Sequence, residues 1–309
     1  MNIDELLNRY AAGERNFGAI VLTDADLTGL DLSGVNLSGA ELGSAQLRGV
    51  NLSGADLSRV NLNNANLIAA DLNRVNLSGA YLLSVRLDQA NLQDADLSNA
   101  KLRGTGLSNS NLKGANLSGA DLKNSNLSGA DLREINLSGA DLSGANLNGT
   151  DLREVNLSGA KLSKQMRWVK LSGQDLIGVN LSQADLREAQ LLKTDLSKAN
   201  LSEADLRRAD LSGANLSRAN LCRVNLVETM LKGANLREAN LAGADLNRAD
   251  LSEVNLIKAN LGQVKLYMAN LANADLSEAR LRGAHDVTID QLKTAILTGT
   301  EMPDGTIHA

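Results

Sequence analysis

Carboxylates recur at intervals that could bring them side by side. Asp131 and Asp151 stand twenty residues apart, each three residues before a glutamate, Glu134 and Glu154. In a chain that coils with that period they would stack at about 4.8 Å, near the carboxylate separation of a retaining glycosidase. Arg133 and Arg153 would stack beside them, however, and acids alternating with guanidiniums in open water read as a solvated charge ladder. Serine follows leucine along much of the chain, but a serine nucleophile needs a base, and the only histidines are His285 and His308. His285 with Asp286 lacks the further ligands a metal requires. Cys222, just after Leu221, is expected to point outward as an ordinary thiol. No catalytic, cofactor-binding or metal-ligating residue is therefore assigned, no cofactor is expected, and the chain reads as non-enzymatic.

The elements that would position any such groups must bury leucine without rings. The chain has 309 residues, of which 43% are apolar but only 2% aromatic, with 27 Gly, one Pro, one Cys and one Trp. Apolar content of that size excludes a disordered chain, and so few rings exclude an ordinary globular core. One cysteine excludes a disulfide framework. The 36 acids and 31 bases are mixed along the chain and leave a net charge of −5, a balance that predicts neither nucleic-acid binding nor a strongly acidic surface. No apolar run approaches the ~20 residues of a membrane-spanning helix. The acidic, amphipathic start Met1-Asn2-Ile3-Asp4-Glu5 is unlike a secretory signal, so a cytoplasmic location away from membranes is expected.

Repetition supplies the answer. Leucine stands at 22 and every fifth position to 162, then at 171 and every fifth position to 281. The residue two before it is nearly always small or β-branched (Ala, Val, Thr, Ser or Ile), the one before it is mostly Asn or Asp, and mostly small or polar residues follow, as in Ala55-Asp56-Leu57-Ser58-Arg59. On a helix, steps of five walk the leucines around every side. On a strand, odd spacing flips them between faces. A chain that turns a corner every five residues avoids both problems, and four sides then close a square coil of about 20 residues, stacked at the strand spacing. Rings are too large for so narrow an interior. Gly and Asn serve the corners, and proline is kept out because each coil needs its N–H groups.

This A-(D/N)-L-x-x unit resembles the repeat of the pentapeptide-repeat family over about residues 20–284. The resemblance implies an all-β solenoid, a right-handed quadrilateral β-helix. The start, Leu6 to Phe17, and the finish, Met302-Pro303-Asp304-Gly305-Thr306-Ile307-His308, are similar to the ends of cyanobacterial members, in particular the family's heterocyst-differentiation regulator. Three segments are expected: a helical N-terminal cap at 1–19, the β-helix at 20–283 with a register break at 163–170, and a C-terminal cap and tail at 284–309. Asn2 can cap the first helix, Ile3, Leu6, Leu7 and Tyr10 form its apolar stripe, and Phe17 plugs the first coil. Thr288 is expected to cap a second helix over 289–297, with Ile289, Leu292, Ile296 and Leu297 facing the last coil.

Between Leu162 and Leu171 nine residues stand where ten belong. The stretch holds the only tryptophan, Trp168, with Lys164, Arg167 and Lys170. Trp and Arg favour a contact site. A tolerated deletion with a local bulge, packed by Met166 and Val169, is the other reading. Outward apolar residues are Ile68, Tyr81, Leu83, Ile177, Leu192, Val227, Ile257, Tyr267 and Met268, of which Val227, Tyr267 and Met268 share the side of Trp168. Candidate partner contacts are thus Lys164, Arg167, Trp168, Lys170, Tyr267 and Met268. A second candidate strip is flat and uncharged, where Asn-Leu-Ser-Gly recurs at 36–39, 76–79, 116–119, 136–139 and 156–159.

The function expected from all this is a protein–protein interaction scaffold, regulatory by resemblance. Its partner is a protein, without nucleic acid or membrane, and the chain is a monomer with an end cap as the surface for any dimer. Two alternatives stand beside it. The family also includes DNA-mimicking inhibitors of DNA gyrase that give quinolone resistance, and a passive structural spacer would carry the same repeat.

Overall fold

A computed structural model describes residues 1–308. The fold divides into two compact units, Met1–Ser163 and Lys164–Ala309. Each unit is a right-handed quadrilateral β-helix in which every coil pairs in parallel with the coil twenty residues on, as Asn36 does with Asp56 and Asn200 with Asn220. No helix among the described residues is long and apolar enough to cross a membrane.

The side Asn76–Ala80 shows why the five-residue unit works, because each of its N–H groups has an acceptor. Asn76 donates back to Ala55 O at 3.0 Å; Leu77 and Gly79 donate forward to Asp96 O at 2.7 Å and Ser98 O at 2.9 Å; Ala80 closes the corner on Leu77 O at 3.0 Å. The fifth, Ser78, has no backbone partner and donates to Asn76 Oδ1 at 3.0 Å. Asn76 Nδ2 meanwhile reaches Asp56 Oδ1 in the previous coil at 3.1 Å. This is why Asn or Asp precedes leucine: it caps an N–H two residues on, and as Asn it also ties coils together. The residue after the serine position has φ near +60°, as Gly79 (65°) and Arg59 (55°) do, the value a type II corner demands at its third residue.

At three of the positions where the Asn or Asp is missing, a side chain one coil earlier substitutes. Tyr81, Gly106 and Lys265 occupy that position. The amides two residues later then donate to a side chain one coil earlier: Leu83 to Asn63 Oδ1 at 2.8 Å, Ser108 to Asp88 Oδ1 at 3.2 Å and Tyr267 to Asn247 Oδ1 at 2.9 Å. Pro303, two residues after Glu301, has no N–H to place.

The leucines at every fifth position from 22 to 157 and from 171 to 281 are buried, with small residues beside them. Buried hydroxyls at the small positions donate to backbone carbonyls, as Ser110 and Thr150 do to Leu107 O and Leu147 O, each at 2.7 Å, so no hydroxyl there is left unsatisfied. Leu162 is half-buried, Ser163 turns inward with its hydroxyl donating to Ala145 O, and Met166 and Val169 fill the leucine and small-residue slots, both fully buried.

Helix α1, Ile3–Ala11, covers the first coil, with Asn2 Oδ1 accepting from Glu5 N at 2.8 Å. Its Leu6 is buried, as is Phe17 behind it, and Tyr10 donates to Ser33 O at 2.8 Å. The second helix differs from the expectation. α2 spans only Ile289–Leu292, capped by Thr288. Leu292 is covered, while Ile289 and Ile296 face outward. The reason is that the repeat resumes instead of ending near 284: Ile296 pairs with Asp275, Glu301 with Arg280, and Thr300 takes a buried small-residue slot. The helix serves as a detour in the coil, and Gln291 Nε2 donates to Leu266 O and Ala269 O at 2.8 and 3.0 Å, serving at Ala269 O in place of the backbone donor a regular coil would bring. Ile307 then folds back antiparallel on Glu301, shielding the last edge.

Substituted amide acceptors can be tested at Tyr267. Asn247→Ala should lower unfolding stability by about 0.5–1 kcal/mol, the net worth of one hydrogen bond. Adding Lys265→Asn should restore it, because an asparagine there supplies the usual acceptor. Thermal melts of the two variants check this.

Candidate interaction face

Steps of twenty residues run up one side of the Lys164–Ala309 unit as two adjacent columns. One reads Arg167, Arg187, Arg207, Val227, Asn247, Tyr267; the other reads Trp168, Glu188, Arg208, Glu228, Arg248, Met268. The residue two before each member of the first column lies alongside, including Asp185 and Asp205.

Corner chemistry positions these side chains. In Asp185-Leu186-Arg187 the backbone N–H of Arg187 donates to Asp185 Oδ1, and the guanidinium folds back on the same carboxylate, Nε to Oδ1 at 2.8 Å and Nη2 to Oδ2 at 2.6 Å. Arg207 makes the same fork on Asp205, at 2.9 and 2.7 Å. These are bidentate, charge-assisted bonds. Arg167 stacks on the Trp168 ring, its guanidinium carbon 3.9 Å from the centroid, and donates to Glu188 at 2.9 Å. Arg208 donates to Glu228 at 2.8 Å. Hydrogen bonding from Arg187 holds Asp185 below the usual carboxylate range, and bonds from Arg167 and then Trp168 do the same to Glu188. Arg208 likewise lowers Glu228. The four arginines, Glu188, Glu228 and Val227 line a shallow groove of about 320 Å³.

The expected contacts are not all brought together. Arg167 and Trp168 form one stacked pair, and Trp168 is 46% exposed. Lys164 lies before the same side and reaches Gln183 at 3.1 Å. Lys170 is on the next side of the coil, paired with Gln190. Tyr267 and Met268 are on the side of Trp168, both more than half exposed, but five coils on, or about 24 Å at the strand spacing. Ile68, expected outward, is only 8% exposed: in columns stacked this closely, an aliphatic side chain is largely covered by its neighbours. Between Trp168 and Met268 lie the residues that sequence reading passed over, Arg187, Glu188, Arg207, Arg208 and Glu228. Their signal was the twenty-residue spacing of arginine at 167, 187 and 207, visible once the coil length is known.

The Met1–Ser163 unit carries a related face. Arg133 and Arg153 fork onto Asp131 and Asp151, with Nη2 to Oδ2 at 2.6 Å in both, so the paired carboxylates are each engaged by their own arginine. Their groove, about 250 Å³, is lined by Arg133, Glu134, Asp151, Arg153 and Glu154. The Asn-Leu-Ser-Gly strip lies on another side of that unit, its asparagines laddered, as Asn136 to Asn116 at 3.2 Å. No group of three or more His, Cys, Asp or Glu able to hold a metal occurs among the described residues.

A leucine-filled coil with its polar groups arrayed outside defines a β-solenoid that meets its surroundings through flat faces. The family profile described as "Pentapeptide repeats" matches in successive copies that together run over residues 16–267, and the chain belongs to the pentapeptide-repeat family. Among solved structures it is similar to HetL, a pentapeptide repeat protein involved in heterocyst differentiation regulation in the cyanobacterium Nostoc sp. strain PCC 7120, with 34% identity over 100% of both chains and a TM-score of 0.19. QnrB1, a plasmid-mediated fluoroquinolone resistance protein, shares 22% identity over 48% of this chain and 84% of its own, with a TM-score of 0.25. A pentapeptide repeat protein of the Arabidopsis thaliana thylakoid lumen shares 25% over 46% and 85%, with a TM-score of 0.26. Curated proteins give no match.

Acid titration should report the forks. Asp131, Asp185, Glu188 and Glu228 all have carboxyls lowered by arginine hydrogen bonds. A lowered folded value means the unfolded chain binds protons first, so stability is full above about pH 5 and is lost as pH falls through the folded values. Melting temperature should therefore stay flat from about pH 6 to 8 and decline below about pH 4. A steady rise in melting temperature on acidification would contradict this.

Proposed function

We propose that the chain is a non-enzymatic scaffold that binds a protein partner through the outer face of the Lys164–Ala309 unit. The observation that carries this reading is the Arg167–Trp168 stack. A half-exposed indole held rigid by a guanidinium and by Glu188 is the kind of anchor that dominates binding energy at protein interfaces. The interior supports the same reading, since it is packed with leucine and small residues and leaves recognition to the outside. The proposed setting is regulatory, of the heterocyst-differentiation type, and the likeness of residues 6–17 and 302–308 to the ends of that regulator supports it. A duplex mimic fits less well. Arg208 is 67% exposed over Glu228 at 35%, and Arg207 is 46% exposed over Asp205 at 29%, so guanidiniums stand outside carboxylates where a mimic needs the reverse.

Affinity capture from an extract of the source cells, with the wild type and with Arg167→Ala/Trp168→Ala, tests this. At least one protein captured by the wild type should be lost or reduced about tenfold with the variant, the scale of a hot-spot truncation. Identical captured sets would overturn the assignment of this face.

A further inference from the structure

The groove that begins beside Trp168 and runs to Glu228, on the columns that end at Tyr267 and Met268, has a chemical polarity that specifies its occupant more closely. It is lined by Arg167, Arg187, Arg207 and Arg208, against Glu188 and Glu228. The Met1–Ser163 unit offers the control within the same molecule. Its groove has the same Asp–Arg forks but is lined by two arginines and three acids, Glu134, Asp151 and Glu154. One corner motif has thus been built into two grooves whose lining side chains differ in charge, and what differs is the second column, where Trp168 and Arg208 alternate with Glu188 and Glu228 instead of glutamate following glutamate.

We infer that this groove binds an extended acidic peptide segment of a protein partner, with apolar side chains at its two ends. The inference deepens the scaffold reading and rests on it. Three features support it. The forks use Nε and Nη2 of Arg187 and Arg207 and leave Nη1 of both without a partner among the described residues. Each guanidinium is held still from behind by its own aspartate, so a carboxylate arriving from solvent meets donors that need little further ordering. The arginines sit one coil apart, about 4.8 Å, kept together by Asp185 and Asp205, with Arg187 Nε also 3.7 Å from Asp205 Oδ2, so the donors form a regular ladder that successive carboxylates of an extended chain could follow. Apolar groups close the two ends of the stripe, Trp168 at one and Tyr267 with Met268 at the other. The separation of about 24 Å matches seven or eight residues of extended chain at about 3.3 Å each. A basic or neutral segment would offer no carboxylate to the Nη1 groups that the forks leave unused. A nucleic-acid strand would need rings spaced between the charges for its bases to stack on, and the ring-bearing residues are confined to the ends.

Trp168 is the only tryptophan and lies at the groove's edge, so its emission reports occupancy directly. The full chain is titrated with the capped peptide Leu-Glu-Glu-Glu-Glu-Glu-Glu-Leu, with the same peptide carrying Lys for Glu, and with an eight-residue oligothymidylate. The acidic peptide should shift Trp168 emission and bind at least about tenfold tighter than the other two. It should also weaken about tenfold between 50 and 300 mM salt, because the contact is exposed and screened. Arg207→Ala/Arg208→Ala should lose at least about tenfold in affinity, with Arg133→Ala/Arg153→Ala unchanged. Should the first variant melt early, Arg207→Gln alone gives the same readout. Equal binding of acidic and basic peptides, tighter binding of the oligonucleotide, an unaltered Arg207→Ala/Arg208→Ala, or self-association of the chain competing with the peptide would each overturn the inference. If capture still depends on Trp168 while the acidic peptide does not bind, this inference fails and the scaffold reading stands.

Discussion

A leucine can leave water every five residues only if the backbone beside it also finds hydrogen bonds. That is the constraint from which the rest of this structure follows. Burying the side chain at the middle of a five-residue side places its amide between two coils, where water cannot serve it, and a buried amide without a partner costs free energy on the scale of a lost hydrogen bond. Coil stacking supplies acceptors for the residue before leucine, the leucine itself and the corner residue, and the turn supplies one for the small residue. Only the residue after leucine is left over. Asn or Asp one position before leucine fills that gap from its side chain, so the two most constant features of the repeat, Leu and Asn/Asp, are two halves of one hydrogen-bonding solution.

The same logic explains the departures. Asn63, Asp88 and Asn247 stand one coil before the amides that a missing Asn or Asp would have served, and accept them. On either side of the register break, Ser163 turns its hydroxyl inward to Ala145 O and Met166 fills a leucine slot of the Lys164–Ala309 unit. At the far end, Gln291 serves Ala269 O in place of a regular coil's backbone donor, and the returning strand at Ile307 meets groups that no further coil will meet. It also explains where function can reside. With the interior committed to leucine and the backbone to stacking, the side chains after leucine are the ones left free to vary, and on the Lys164–Ala309 unit they carry the arginine column.

Much of this was legible in the residues. The five-residue leucine register dictates a four-sided coil, and the absence of rings fits its narrow interior. Asn2 and the apolar stripe of residues 3–10 show the first cap. What was not legible depends on contacts twenty residues apart. Ile296 and Leu297 look like a helical face by spacing, yet Ile296 lies in a resumed coil because Asp275 is there to pair with it. Ile68 looks outward in the repeat, but stacking covers it. The arginines at 167, 187 and 207 form a column only when the coil length is applied, and the forks that hold two of them depend on aspartates two residues earlier, which a linear reading treats as repeat filler.

Amide hydrogen exchange along a single side tests the hydrogen-bonding account most directly. In residues 76–80, the amides of Asn76, Leu77 and Gly79 bond to neighbouring coils, while that of Ser78 bonds only to the Asn76 side chain. The account expects the first three to exchange together at the slow rate of the stacked coil and Ser78 to exchange measurably faster, since its partner can swing away without any coil separating. A Leu77 amide that exchanges as fast as that of Ser78 would contradict it.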